Sequence, residues 1–391
     1  MGLLSSSPTS LHAKHRVGPL HSTQANEPAL SHAHASGESH RSHIGIVVVG
    51  RNEGERLRTC LASVADLGTP LVYVDSGSVD QSVQLAREHG VDVIELDDSK
   101  PYTAARARNA GFDWLLERRG DLEFVQFVDG DCELSAGWLE RGAAVMNGRP
   151  DVAVVCGRVR ERAPHASIYN RLCELEWKQA TGEIDGCGGN MLMRVKAFRE
   201  IGGFNPDVIA AEDTELCARL QMHGWKIFSV DTDMVVHDAA MLRFSQWYRR
   251  AVRAGHAMTE GAVRHGRRSS CLFTRSARRI FLFGTLIPLG AVAFAWPTGG
   301  WSLALLGVYP VQFVKTYAGL RRRGETRADA LAYSSHCTLA KFPQAHGQML
   351  YGWNRLRGRR TRLIEHKRPE TRIDPGLCEA SPREPDASPG T

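Results

Sequence analysis

From Ile44 onward the sequence alternates short, almost wholly apolar runs with amphipathic stretches, and that rhythm admits few folds. IGIVVVG (44–50), PLVYVDSGS (70–78), VDVIEL (91–96), LEFVQFVDGD (122–131) and DVAVVCGRV (151–159) read as strands. Between them NEGERLRTCLASVADL (52–67), VDQSVQLAREHG (79–90), YTAARARNAGFDWLLERRG (102–120) and SAGWLERGAAVM (135–146) carry helical spacing. Strands that are apolar on both faces must be covered on both faces. This argues an α/β domain with a mostly parallel central sheet. The rhythm then loosens: a helix is predicted over 169–181, a Gly-rich, strand-like segment GCGGNMLMR over 186–194, a helix with an acidic start over 211–224, and a short strand WKIFSV over 225–230. The compact domain, 44–240, is expected to end there.

The flanks differ in kind. Residues 1–43 are rich in Ser and His, contain no apolar signal core, and read as a disordered tail. Residues 243–279 hold ten Arg and one Glu. From Ile280 to Val314 there is then no Asp, Glu, Lys or Arg, a run of 35 residues split by PTGG (297–300). One bilayer crossing needs about 20 apolar residues, so 280–320 is expected to form a transmembrane hairpin, or a re-entrant pair because Pro288 and Pro310 interrupt it. ARR (277–279) and RRR (321–323) at the two ends place both on the cytoplasmic side of the inner membrane. The stretch 241–279, with Phe244, Trp247 and Tyr248 as anchors, reads as interfacial, 321–368 as a basic helical region, and 369–391 as a disordered end. Nucleic acid is the obvious rival partner for such basic blocks. Their place around an apolar hairpin favours anionic lipid, and a net charge of +6 with a pI near 8.9 is mild for a nucleic-acid binder. The nine cysteines form no CxxC pair and read as reduced, buried thiols.

Chemistry concentrates at predicted strand ends, where open α/β sheets bind ligands. Asp129 and Asp131 form a DGD after FVQFV. Two carboxylates one residue apart can curl around a divalent cation that neutralises a diphosphate, although a surface turn has the same composition. Asp75 closes VYVD and precedes SGS and Asp80, so a carboxylate there can accept from a base or ribose. The first loop, VVVGRNEGE, is neither a dinucleotide fingerprint nor a phosphate-cradling Gly-rich loop.

In this order the segments resemble the family 2 glycosyltransferases of the GT-A fold, which use nucleotide-activated sugars. VVVGRNEGERLRTCLASV is similar to their first strand and helix, VDSGSVD (74–80) to their nucleotide loop, and ARARNAG (105–111) to their ARNxG element. DGD is similar to their DxD, GGNMLMRVKAFREIGGFN (188–205) to their sugar and acceptor segment, and AEDTELCARLQMHG (211–224) to their ED segment. The resemblance covers 44–240. It implies that Asp75 holds the nucleobase or ribose in a pocket shaped by Asn52, Glu53 and Asp80, and that Arg108 approaches the nucleotide. Asp129 would face the ribose and metal water, Asp131 would bind Mg²⁺ or Mn²⁺ across the diphosphate, and His237 would complete the metal site. Gly188, Gly189 and Asn190 would let the backbone approach the sugar. Asp213 is the expected base, with adjacent Glu212 as its rival. Helix capping, a solvated arginine for Arg108 and a structural histidine for His237 are the plainer alternatives. The acceptor implied is a lipid-linked saccharide or polyprenyl phosphate. QWYRR (246–250) fits the spacing of the QxxRW motif of processive relatives at Gln246 and Arg249 but has Arg250 in place of Trp, which argues for single-sugar transfer. A nucleotidyltransferase, or a non-catalytic membrane scaffold on a decayed transferase fold, would fit parts of the pattern. GRNEGE lacks a triphosphate-binding lysine, and retention of Asp75, Asp129, Asp131 and Asp213 argues against decay.

Overall fold

The structure, a computed structural model, describes residues 43–266 and 272–358. The expected tails before His43 and after residue 368, and the end of the basic block at 359–368, lie outside the described residues. Nine strands form one sheet: β1 Ile44–Gly50, β2 Leu71–Asp75, β3 Asp92–Glu95, β4 Phe124–Asp129, β5 Cys132–Leu134, β6 Val152–Glu161, β7 Gly182–Glu183, β8 Met191–Arg194 and β9 Lys226–His237. Their order is β3-β2-β1-β4-β8-β6-β9-β5, with β7 also paired to β9. Helices α1 Glu55–Val64, α2 Ser82–Glu88 and α3 Ala104–Arg118 connect the first four strands, and α4 Trp138–Gly148 leads into β6. Ile44, Ile46, Val47 and Val48 are fully buried between these layers. Helix α3 starts at Thr103, whose hydroxyl accepts from the Arg106 amide at 3.1 Å. It sits tight on the sheet at Gly111, where a Cβ would come 2.4 Å from Val47.

The sheet is mixed, not mostly parallel as expected. β1–β2, β2–β3, β1–β4 and β6–β9 are parallel, whereas β4–β8, β6–β8, β5–β9 and β7–β9 are antiparallel. The cause lies in the connections. Gly130 and Asp131 alone separate β4 from β5, too few for a crossover. β5 therefore leaves the β4 ladder and pairs with β9, while β8 fills the gap between β4 and β6 in the opposite direction. β6 and β9 carry three register shifts, which bend the sheet into a curled half-barrel. β9 also outruns the expected short strand and delivers His237 at its end.

Helices α5 Ile168–Glu176, α6 Val195–Glu200 and α7 Glu212–Met222 lie along this half, and α8 Phe244–His265 follows β9. α9 Leu272–Phe281 runs through a π turn, Leu282–Leu286, into α10 Ile287–Ala293. A 3₁₀ segment Trp301–Gly307 precedes α11 Val308–Arg322, α12 Arg327–Leu339 and α13 Lys341–Leu356. Among the described residues one helix, Phe273–Ala293, is long and apolar enough to cross a membrane, and little of it is buried. This corrects the expected pair of C-terminal membrane helices. The second half breaks into a 3₁₀ segment and α11, which carries Lys315 and ends on Arg321 and Arg322. Nor is the apolar helix a terminal appendage, because α12 and α13 return to the sheet domain. Arg171 of α5 grips Asp329 of α12 through two bonds of 2.7 and 2.6 Å and holds that carboxyl down at about 2. α13 crosses α8 at paired glycines: a Cβ at Gly255 would lie 2.0 Å from the Gln344 carbonyl oxygen, and one at Gly347 2.1 Å from that of Val252. Trp247, expected as an interfacial anchor, is instead buried, with its ring near Tyr169 and His336; Phe244 remains exposed. The seven described cysteines are all buried and unbridged.

Candidate active site

A cavity of about 1450 Å³ opens at the carboxyl ends of β1 and β4 and the end of β9. Its sheet-side wall contains Asn52, Glu53, Arg108, Asp129, Asp131, Gly188, Gly189, Asn190, Glu212, Asp213 and His237. The structure thus brings together eleven of the thirteen expected site residues. Asp75 and Asp80 do not line the cavity. Asp75 is buried and fully engaged: it accepts from the Ser78 amide (2.7 Å), the Ser78 hydroxyl (2.5 Å) and the Tyr73 hydroxyl (2.9 Å). Burial and the Asp75 carboxylate keep Tyr73 protonated, so it donates. Asp75 therefore shapes the SGS loop from behind. Asp80 accepts from the Ser82 amide at the start of α2. Asn52 reaches across to accept from the Val79 amide at 2.8 Å and stands at φ +56°, while Glu53 pairs with Arg56 at 3.0 Å.

Arg108 is neither solvated nor free for a ligand. It is buried, donating to Asp129 at 2.6 Å and to Glu212 at 2.8 Å. Gly189 makes room for it, since a Cβ there would meet the guanidinium at 2.1 Å. Asn190 completes this knot, accepting from the Asp129 amide (2.9 Å) and donating to the Asp129 carboxylate (3.3 Å) and to Cys132 Sγ (3.4 Å). Asp129 is thereby turned to Arg108 and Asn190 rather than to its neighbour Asp131.

Asp131 faces the end of β9. Its Oδ2 lies 3.4 Å from His237 Nε2, and the ligand atoms of Asp131, Cys132 and His237 fall within 4.8 Å of one another. Burial pushes His237 down, keeping the imidazole in the neutral form that binds metals, and its Nδ1 is buried without a hydrogen-bond partner. Trp177, a residue the sequence reading missed, packs its ring at right angles to that of His237, with centroids 4.6 Å apart. Burial first, then Asp129, raises the Cys132 thiol well above the usual range, so without a cation it stays protonated. A carboxylate and a neutral imidazole fit a hard divalent cation whose other positions are taken by water and ligand oxygens.

The ED pair diverges. Ala211, directly before it, holds the left-handed conformation at φ +57°, a strained start for α7. Burial would raise Glu212, but Arg108 and Arg253 outweigh it and hold that carboxyl low. Asp213 accepts from the Thr214 amide at 2.6 Å on one oxygen, and its other oxygen faces Gly188. Burial, then the charge of Glu212, pushes Asp213 up to about 7.

The opposite wall comes from the helices and was largely missed. Arg250 donates to buried Glu176 at 2.6 Å, and Arg253, Arg275, Arg279 and Arg323 line the same side. Their helical spacings, 250/253 and 275/279, were visible, but nothing in the sequence said which sheet edge they would face. Gln246 spends its side chain on the start of α8, accepting from the Leu242 and Arg243 amides, and Arg249 lies off the cavity.

Comparison with known proteins agrees with this geometry. Residues 45–202 match the family described as Glycosyl transferase family 2, and residues 124–319, half of the chain, match Glycosyl transferase family group 2. Glycosyltransferase AglE of Haloferax volcanii is 23% identical over 47% of this chain and 63% of its own length. The pre-mycofactocin glycosyltransferase of Mycobacterium tuberculosis is 28% identical over 59% and 49%, and succinoglycan biosynthesis protein ExoA of Rhizobium meliloti 26% identical over 67% and 83%. The chain therefore spans about half to two thirds of the length of the first two. Among solved structures, the mannosyltransferase PcManGT from Pyrobaculum calidifontis, in complex with GDP-Man and Mn²⁺, superposes with a TM-score of 0.53 at 17% identity, covering 81% of this chain and 89% of that one. That likeness concerns the fold. Sheet, cavity and sequence match converge: the chain belongs to glycosyl transferase family group 2 and carries a GT-A-like fold.

Proposed function

We propose that the chain is an inverting, metal-dependent transferase that moves one sugar from a nucleoside-diphosphate sugar to an acceptor hydroxyl. The observation that carries this is the division of labour in the ED pair: Glu212 is bound to Arg108, whereas Asp213 has an oxygen turned to the cavity and a pKa near neutrality. A group of that kind holds the acceptor proton as the hydroxyl attacks. Asp213 is thus the base, and Glu212 sets its charge environment. Asp131 and His237 would hold Mg²⁺ or Mn²⁺, which when bound supplies positive charge beside the departing diphosphate. Asn52, Glu53, Asp129 and Asn190 border the donor, Asp75 and Asp80 shape the loop beside it, and Gly188 and Gly189 let the sugar approach the backbone. Single-sugar transfer is supported by QWYRR, where Gln246 is used up in capping.

The acceptor is a lipid-linked saccharide or polyprenyl phosphate in surface or exopolysaccharide assembly. The relative ExoA, named for succinoglycan biosynthesis, and the O-antigen chain rhamnosyltransferase RfbN of Salmonella typhimurium, 26% identical over 172 residues, support that class. The apolar helix with Arg275, Arg278 and Arg279 at its N-terminal end supports an inner-membrane location with the 44–240 domain in the cytoplasm. Screening nucleoside-diphosphate sugars for slow hydrolysis with Mg²⁺ or Mn²⁺ tests the reading. One donor should be consumed with metal and spared in EDTA. If none is bound or consumed with either cation, the reading fails.

A further inference from the structure

The cavity exceeds the roughly 300–1,000 Å³ of an ordinary small-molecule site, and its helix-side wall carries more cationic charge than it pairs: Arg253 acts on Glu212 through space, while Arg275, Arg279 and Arg323 are exposed. Arg253 of α8, Arg275 and Arg279 of α9, and Arg323 after α11 all line it. Among the described residues none of these four guanidinium groups makes a side-chain hydrogen bond or an ion pair. On the sheet side, by contrast, the cations Arg56 and Arg108 are matched by Glu53, Asp129 and Glu212.

The second observation is the helix that carries two of the four. Along Phe273–Ala293 the exposed positions are Arg275, Arg278, Arg279, Phe281, Leu282, Leu286, Leu289, Val292 and Ala293, and among them Arg275, Arg279, Leu282, Leu286, Leu289 and Val292 follow one another in steps of three and four. One face of this helix is therefore cationic where it borders the cavity and apolar beyond it: Leu286 is 53%, Leu289 64% and Val292 70% exposed. Past its end, Trp296 and Trp301 stand almost wholly in the open. A face that is charged at one end and apolar along the rest matches an amphiphile, not a nucleic acid or a soluble sugar phosphate. Guanidinium groups are the donors that grip phosphate oxygens in pairs.

We propose that Arg253, Arg275, Arg279 and Arg323 form the site for the diphosphate or phosphate headgroup of a lipid carrier, whose hydrocarbon chain leaves the cavity along Leu282, Leu286 and Leu289. The inference rests on the transferase reading for what the carrier bears: a saccharide whose hydroxyl extends to Asp213. The binding site itself stands on the arginines and the apolar face.

Titration calorimetry of the full chain in nonionic detergent tests it, with farnesyl diphosphate, farnesol, inorganic pyrophosphate and a nucleoside diphosphate as separate probes. Farnesyl diphosphate should bind, and farnesol and pyrophosphate at least tenfold more weakly. The double variant Arg275→Gln/Arg279→Gln should lose at least tenfold in farnesyl diphosphate affinity while nucleoside-diphosphate affinity stays within twofold. Arg278→Gln, the same kind of substitution on the same exposed helix but off the cavity, should bind like the unaltered chain. Equal lipid binding by the double variant overturns the site. Pyrophosphate binding as tight as farnesyl diphosphate makes it a free-anion site and overturns the lipid. An equal loss of nucleoside-diphosphate affinity assigns the arginines to the donor and overturns it too. If no nucleoside diphosphate binds the unaltered chain while farnesyl diphosphate does, the transferase reading falls and the lipid site stands.

Discussion

The two walls of the cavity solve opposite problems. The sheet-side wall neutralises its charge internally: Arg108 is shared between Asp129 and Glu212, Asn190 braces Asp129, and behind the wall Ser78 and Tyr73 saturate Asp75. Such a wall is rigid before any ligand arrives, which suits groups that must meet a reacting centre in fixed geometry. The helix-side wall leaves Arg275, Arg279 and Arg323 to solvent. Exposed arginines cost little to keep unpaired, so a wall of this kind waits for an anion from outside.

That contrast fails or sharpens by experiment, and the largest expected effect is on turnover. Asp213→Asn keeps shape and hydrogen bonding but removes the base, so transfer should fall by about 10²–10⁴-fold with donor affinity within about threefold. Glu212→Gln losing more turnover than Asp213→Asn would move the base to its neighbour. The same residue fixes a pH profile. Its carboxyl is raised from 3.8 to about 7, so the folded state binds this proton more tightly than the unfolded chain does. The stability it contributes is complete below pH 3.8 and is lost as pH rises through 7. kcat/KM should rise over that same upper range as the base loses its proton, and a flat profile between pH 6 and 8 would remove Asp213 from the role.

Next in size, Arg108→Met leaves two carboxylates without their cation and should cost about 3–5 kcal/mol in chemical denaturation. Arg275→Met on the other wall, where the side chain is exposed, should stay within about 0.5 kcal/mol. Similar costs for both would erase the distinction between the walls. Asp131→Ala, or EDTA on the unaltered chain, should weaken nucleoside-diphosphate binding about 10–100-fold. The two treatments together should do no more than either alone, and additive losses would separate Asp131 from the metal. The smallest effect concerns the frame behind the helix wall. Gly347→Ala should cost about 1–3 kcal/mol, whereas Gly319→Ala, with open space around it, should cost nothing. Equal melting temperatures for the two variants would show that the α8–α13 crossing is loose.

Much of the sheet-side wall was legible because its residues sit at strand ends and helix starts, positions that apolar periodicity locates: Asp129 after FVQFV, Asp213 at the start of α7. Strand direction was not legible. MLMR and VAVVC are apolar in either orientation, and only the two-residue link at Gly130 and Asp131 hinted that β5 could not continue a parallel pattern. Partner choice was equally hidden. Arg108 read as a surface or ligand-binding arginine because Glu212 lies 104 residues away, and Asp75 read as a ligand because nothing local revealed that Ser78 and Tyr73 saturate it. The helix wall escaped because long-range packing, not spacing, decides which edge of the sheet α8 and α9 face.

The glycine crossing of α8 and α13 also governs the order in which the protein can be made. α8 leaves the ribosome well before Lys341–Leu356 exists, and its Gly255 face stays bare until the chain has completed the apolar excursion and come back. The last of the described helices is thus the one that covers α8, so a chain truncated after His265 would keep every described strand yet leave α8 without its cover. Loss of the distal segment is therefore expected to expose α8 to proteases and chaperones rather than to liberate a smaller, intact enzyme.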